Sequence, residues 1–162
     1  MKEKILITYF SHSGNTKRIA ELIKTLTGGE LLQIEPVQPY PRNYNTVVAL
    51  AKKEISAGYL PEIRTIQEPI DSYDTIFIGS PNWWSSIAPP VSTFCKTFNF
   101  TEKKIIPFCT HGGGGEGHLF SDIRNACNNP KMARGLSFYG NGGARAENLL
   151  TDWLDELGIA TR

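Results

Sequence analysis

The residues Ser11-His12-Ser13-Gly14-Asn15-Thr16 place three hydroxyls around a single glycine, directly after the strand-forming run Lys4–Phe10 and before a helical stripe. Backbone N–H groups and the dipole at a helix start attract an anion, the dipole alone by about 0.3–1 kcal/mol. Hydroxyls donate without adding charge, so this loop can hold a phosphate with neutral groups. An ordinary Ser/Asn-rich turn with a helix N-cap is the competing reading. It accounts for one hydroxyl, whereas three flanking Gly14 favour phosphate. No Gly-Lys-Ser/Thr closes the loop, so it is not a Walker loop.

A second group follows a later apolar run, as Gly79-Ser80-Pro81-Asn82-Trp83-Trp84-Ser85. Consecutive side chains of an extended segment point to opposite sides, so Trp83 and Trp84 cannot both enter one core. A planar aromatic ligand between them is one explanation, and a surface or interface anchor is the other. A third group, Thr110-His111-Gly112-Gly113-Gly114-Gly115-Glu116-Gly117-His118, contains G-x-G-x-x-G at residues 112, 114 and 117. A dinucleotide fingerprint belongs on the first strand and needs an acidic residue closing the next one, and Leu136–Gly140 has none. A flexible glycine loop remains the plain alternative. His12, His111 and His118 lack Cys or carboxylate companions at ligand spacing, so no metal is expected. His111 or His118 can donate to a ligand carbonyl or move a proton, and a solvated loop histidine is the favoured reading for His118.

The elements that must position these groups alternate along the chain. Strands are predicted at Lys4–Phe10, Glu30–Val37, Asp74–Ser80, Lys104–Thr110 and Leu136–Tyr139. Pro107 is awkward within the fourth, because a central strand needs its backbone donors. Helices are predicted at Thr16–Thr27, near Asn43–Ala57, from Pro89-Pro90, near Gly117–Cys127 and near Ala144–Leu157. The last is expected to bury Leu149, Leu150, Trp153, Leu154 and Leu157, and Tyr44 to sit at a helix start against the core. Tyr40, Tyr44 and Tyr59 also mark the Pro39–Tyr59 segment as an elaboration able to fold over a substrate cleft. Such alternation predicts one α/β domain over residues 1–162, a doubly wound five-stranded parallel sheet with helices on both faces. Ligands of such sheets lie outside the carboxyl ends of the strands, where all three groups fall.

With 162 residues, 40% hydrophobic and 20% charged, the chain can build one full core. A formal net charge of +1 gives no reason to expect nucleic acid or an anionic membrane as partner. The apolar runs are too short to span a bilayer, and the N-terminal one is cut by Thr8, Ser11 and His12 with no cleavage-site pattern after it. Cys95, Cys109 and Cys127 form no Cys-x-x-Cys pair and are odd in number, which points to a reducing cytoplasm.

Tyr9–Thr16 resembles the phosphate loop of the flavodoxin family, Ser/Thr-x-Ser/Thr-Gly-x-Thr, and Ser80–Val91 is similar to the loop along which the isoalloxazine lies in flavodoxins and flavin-dependent quinone reductases. The resemblance covers Lys4–Leu157 and implies the strand order 2-1-3-4-5 with FMN as cofactor. It places Ser11, His12, Ser13, Gly14, Asn15 and Thr16 at the FMN phosphate and Pro81, Asn82, Trp83 and Trp84 against the ring. Thr110, His111, Gly112 and Gly113 fall at its pyrimidine edge. The short stretch Cys127–Tyr139 matches the short-chain members. Two features depart from the family. The chain is nearly neutral, where well-studied flavodoxins are strongly acidic toward cationic partners. The segment Ser80–Ala88 also lacks the glycine whose peptide turns over beside flavin N5, leaving Asn82 as the residue most able to take a positive φ there.

Three functions follow as expectations. One is electron transfer through FMN to a redox partner protein, and the second is an NAD(P)H-dependent FMN oxidoreductase acting on a quinone or similar small acceptor. The third is a non-redox binding module for another phosphorylated aromatic ligand. The resemblance leaves the oligomeric state open.

Overall fold

A computed structural model describes residues 3–162. The strands are β1 Ile5–Tyr9, β2 Glu30–Gln33, β3 Thr75–Trp83, β4 Ser86–Ile87, β5 Lys104–His111, β6 Lys131–Met132 and β7 Leu136–Tyr139. The helices are α1 Asn15–Thr27, α2 Tyr44–Ala57, α3 Pro89–Thr97, α4 Leu119–Ala126 and α5 Ala146–Glu156. Strands β2, β1, β3 and β5 lie side by side in that order, all parallel, with β6 and β7 both parallel to β5 beyond them.

The core strands read as unbroken apolar runs because both faces of the sheet are covered. Side chains still alternate: Leu6, Ile76, Ile78, Ile105 and Cys109 face α3 and α4, while Ile7, Phe77, Ile106 and Phe108 face α1 and α5. Helix α2 stands apart, packing on α3 and on β3. Pro89 and Pro90 open α3, where a missing N–H costs nothing.

Among the described residues the sheet has seven strands rather than five, with the 2-1-3-4-5 core intact. One added strand comes from Pro107. Its carbonyl faces Gly135, where a Cβ would stand 2.9 Å from that oxygen, so its missing donor also falls on this side. The fifth strand breaks there, into β6 and β7, and the freed Arg134 carbonyl accepts from Trp153 Nε1–H at 2.9 Å. The other is β4. The sequence places the end of β3 at Ser80, but the strand runs on to Trp83 and pairs back, antiparallel, with Ser86-Ile87. Trp84 and Ser85 make the two-residue turn at φ 56° and 63°, the left-handed pair whose twist suits a tight hairpin.

Other boundaries also move. Strand β2 ends at Gln33, and residues 35–37 pair instead with 62–64, through Val37 N–H to the Glu62 carbonyl and Arg64 N–H to the Glu35 carbonyl. Helix α4 starts at Leu119 and α5 at Ala146. Leu149 stays 47% exposed, while Leu150, Trp153 and Leu154 fill the core and Leu157 is half-buried.

Gly79 in β3 stands beside Phe108 in β5, whose ring covers it. A Cβ at residue 79 would lie 2.1–2.7 Å from ring atoms, so Phe108 occupies the space a side chain would need. Gly79→Ala is expected to destabilise the fold by about 1–3 kcal/mol, read as a lower urea midpoint with an unchanged slope.

Candidate functional site

The carboxyl ends of β1, β3, β5 and β7 open into one cleft of about 540 Å³, closed on one side by α2. Ser13 and Asn15 line it from the first loop, with His12 beside them; Pro81, Asn82, Trp83 and Trp84 from β3 and its turn; Thr110, His111 and Gly112 from β5; and Tyr139 and Gly140 from β7. Helix α2 contributes Tyr44, Val47, Val48 and Ala51.

The first loop is built to present donors. Gly14, at φ 97°, precedes α1, and its N–H donates to Ser11 Oγ at 3.1 Å, which closes the turn and leaves Ser13 and Asn15 on the cleft. Thr16 lies behind, 1% exposed, with Oγ1 2.7 Å from Thr110 Oγ1. Two hydroxyls sharing one hydrogen bond leave a second proton to donate elsewhere. This pair ties the start of α1 to the end of β5, and Arg18 Nη1 ties α1 to the loop after β7 through the Asn141 carbonyl at 2.6 Å. Among the described residues, no Asp, Glu, Lys or Arg lines the cleft, so an anion there meets hydroxyls, backbone N–H groups and the α1 dipole.

The histidines take different roles. His12 Nε2–H donates to the Pro41 carbonyl at 2.9 Å, which holds the loop after β2 over the site. His111 Nδ1 accepts from the Gly113 N–H at 3.0 Å, so the ring proton sits on Nε2. That tautomer turns a donor outward beside Tyr139, whose ring centre lies 6.0 Å away. His118 is outside the cleft, with Nδ1 2.6 Å from Asp122 Oδ2. Among the described residues, no group of three or more His, Cys, Asp or Glu side chains gathers as a metal site.

The two tryptophans diverge because Trp83 ends β3 while Trp84 opens the turn at φ 56°. Trp83 packs edge-on against Phe10 and Tyr40, with centroids 5.4 and 5.0 Å away. Tyr40 donates its hydroxyl to Glu54 Oε1 at 2.6 Å, and burial first, then that carboxylate, holds its phenol well above the usual tyrosine range. Trp84 is 48% exposed, its Nε1–H donating to the Val48 carbonyl at 3.0 Å and Lys52 Nζ lying 5.2 Å from the ring centre. Positive φ falls on Trp84 and Ser85, not on Asn82, which remains in β3. Holding two non-glycine residues there costs roughly 1–2 kcal/mol each. Asn82 Nδ2 donates to the Gly115 carbonyl at 2.6 Å, and its Oδ1 is buried without a partner.

Of the residues named from the sequence, His12, Ser13, Asn15, Pro81, Asn82, Trp83, Trp84, Thr110, His111 and Gly112 line the cleft. Ser11, Gly14, Thr16 and Gly113 shape it from behind or beside. Tyr44, expected against the core, is 76% exposed and faces the cleft from the first turn of α2. Tyr139 and Gly140 were missed, although they close the last strand at the same carboxyl end. The α2 wall lies within the Pro39–Tyr59 segment expected to be able to fold over a cleft, and Val47, Val48 and Ala51 are the lining residues there that the sequence did not single out.

The flavodoxin family model matches residues 4–157. The chain belongs to the flavodoxin family. No curated protein matches it. Among solved structures, it is similar to a protein of Bacteroides eggerthii DSM 20697, provisionally described as a flavoprotein, at 29% identity and TM-score 0.84, covering 98% of this chain and 99% of that one. Two others share the fold. A flavoprotein of Lactobacillus acidophilus NCFM, solved in complex with FMN, has 23% identity and TM-score 0.75 over 94% and 99% of the chains. Oxidised flavodoxin 2 of Bacillus cereus has 19% identity and TM-score 0.58 over 94% and 99%. The sheet delivers the segments after β1, β3, β5 and β7 to one end, where they line the cleft.

Thr110→Val keeps the shape of the side chain but strands the buried Thr16 hydroxyl. The expected loss is roughly 1–3 kcal/mol of stability in the ligand-free protein, measured by denaturant titration.

Proposed function

We propose that this flavodoxin-family chain binds FMN in the cleft and transfers electrons through it. The observation that carries the reading is the continuity of the two halves of the site. A neutral donor cradle at the start of α1 runs without a barrier into an aromatic-walled slot. Ser13, Asn15 and the backbone there suit a phosphate, with Thr16 behind them. The slot suits a planar ring, and about 540 Å³ falls within the range for small-molecule sites. Asn82 Oδ1, a buried acceptor with no partner, calls for an N–H from a ligand, and the flavin pyrimidine carries one. His111 Nε2–H offers the complementary donor for a carbonyl. Gly112 lets backbone approach closely beside it. Bound FMN supplies the redox chemistry, while the chain fixes its orientation and excludes water from its apolar face.

A second reading is an NAD(P)H-dependent oxidoreductase acting on a quinone or similar acceptor. The α2 wall favours it. Tyr44, Val47, Val48 and Ala51 give the cleft an apolar wall against which a second planar molecule can lie. The near-neutral charge also gives little electrostatic steering toward a cationic protein partner. A non-redox module for another phosphorylated aromatic ligand is the third possibility, and it predicts no flavin. Three free, buried cysteines support a reducing compartment such as the cytoplasm.

Purified protein mixed with FMN is expected to show bound-flavin absorption in the visible, and its absence removes both redox readings. Stopped-flow mixing of the FMN-loaded protein with NADPH then separates them. Bleaching without a reductase marks the oxidoreductase, and no reaction marks the carrier. Ser13→Ala, which removes a hydroxyl that lines the cleft, is expected to weaken FMN by about tenfold more than riboflavin, the size of one hydrogen bond to a charged acceptor. Equal weakening of the two ligands would remove the phosphate assignment.

A further inference from the structure

The turn beside the cleft does not hold itself. Trp84 and Ser85 both sit at positive φ, and neither is the glycine or asparagine that makes such a hairpin turn self-sustaining. The glycine loop after β5 and the first turn of α4 supply what the turn lacks. His118 N–H donates to the Ser85 carbonyl at 2.9 Å. Gly117 lies so close that a Cβ there would stand 2.8 Å from the Ser85 Cβ and 2.9 Å from its carbonyl oxygen. One residue further, Ser86 Oγ donates to Asp122 Oδ2 at 2.6 Å, and the same oxygen accepts from His118 Nδ1–H at 2.6 Å. On the other side of the turn, Asn82 Nδ2 holds the Gly115 carbonyl. Conformations of this kind persist only where the surroundings over-determine them.

We propose that Ser86, Asp122 and His118 are positioning residues for the flavin cleft, acting through the Trp84–Ser85 turn. None of the three lines the cleft. Together they fix Ser85 and Ser86 to α4, which holds Trp84 where its indole reaches the Val48 carbonyl. The aromatic wall and the α2 wall are thereby locked to each other. The Asp122 carboxylate is the hub, since a single oxygen receives both donors and such charge-assisted bonds are the stronger kind. The glycine loop, which reads as a flexible connector or as backbone for a ligand, is in part the bracket for a strained neighbour.

The proposal rests on the FMN reading, and its test keeps the two apart. Asp122→Ala is compared with the double variant that adds Ser85→Gly, because glycine takes a positive φ freely and lets the turn hold itself. In ligand-free protein, amide exchange at residues 84–87 is expected to quicken about tenfold in Asp122→Ala and to return toward wild type in the double variant. FMN and riboflavin should both bind about tenfold more weakly to Asp122→Ala, and both should recover with Ser85→Gly. Ser86→Ala, which removes only one hydroxyl, should move every readout the same way by less, and decides the matter if Asp122→Ala fails to fold. Unchanged exchange overturns the proposal. So does a loss that Ser85→Gly does not restore, which is what general damage to α4 would give, or a loss confined to FMN, which would place the effect at the phosphate. Wild-type protein that takes up no FMN, while exchange responds as described, overturns the FMN reading and the positioning role with it.

Discussion

Everything at the cleft depends on the three-strand parallel ladder β1–β3–β5, which is buried on both faces. Backbone N–H and C=O groups so far from water must pair, and parallel pairing sets all three strands pointing the same way. Their carboxyl ends then emerge side by side, and the segments that follow have no choice but to meet. Gly79 under the Phe108 ring lets β3 and β5 keep this register without a gap. The Thr16–Thr110 hydroxyl pair is the local seal where the ends of β1 and β5 become functional loops.

On that base the cleft divides its work between polarity and shape. The first loop offers neutral donors at a helix start, a chemistry that suits an anion without a compensating cation that would also attract other anions. The opposite side is aromatic and aliphatic, with few polar groups placed where they matter: an orphan acceptor on Asn82 and an outward donor on His111. The tryptophans serve different ends, Trp83 as part of a packed aromatic box and Trp84 as a bridge between the β3 hairpin and α2.

The sequence made the central strands, the turn that opens α1 and most of the lining residues legible, because each rests on local chemistry: apolar runs, hydroxyls around a glycine, glycines after a strand. The hairpin at Trp84–Ser85 was not legible. Its turn residues contradict the usual preference, and the contacts that override it come from His118 and Asp122, more than thirty residues on. Tyr44 and Leu149 were misread for a related reason, since helical periodicity shows which residues share a face but not what stands opposite that face. Pro107 signalled trouble in a strand. That the break would appear in the neighbour, at residues 133–135, follows only once the direction of its carbonyl is known.

That break has a bearing on how the protein behaves in a crowded solution. A long, unpaired outer strand is a template on which a second chain can add itself, and a molecule carrying a net charge of only +1 has little electrostatic repulsion to keep copies apart. By splitting its last strand into pieces of two and four residues with a jog between them, the fold offers no straight row of free amides on that flank. The opposite flank, four residues in β2, is equally short. Repair of the jog, with Pro107 replaced and Ala133–Gly135 drawn into register, would give a more regular sheet and a stickier molecule.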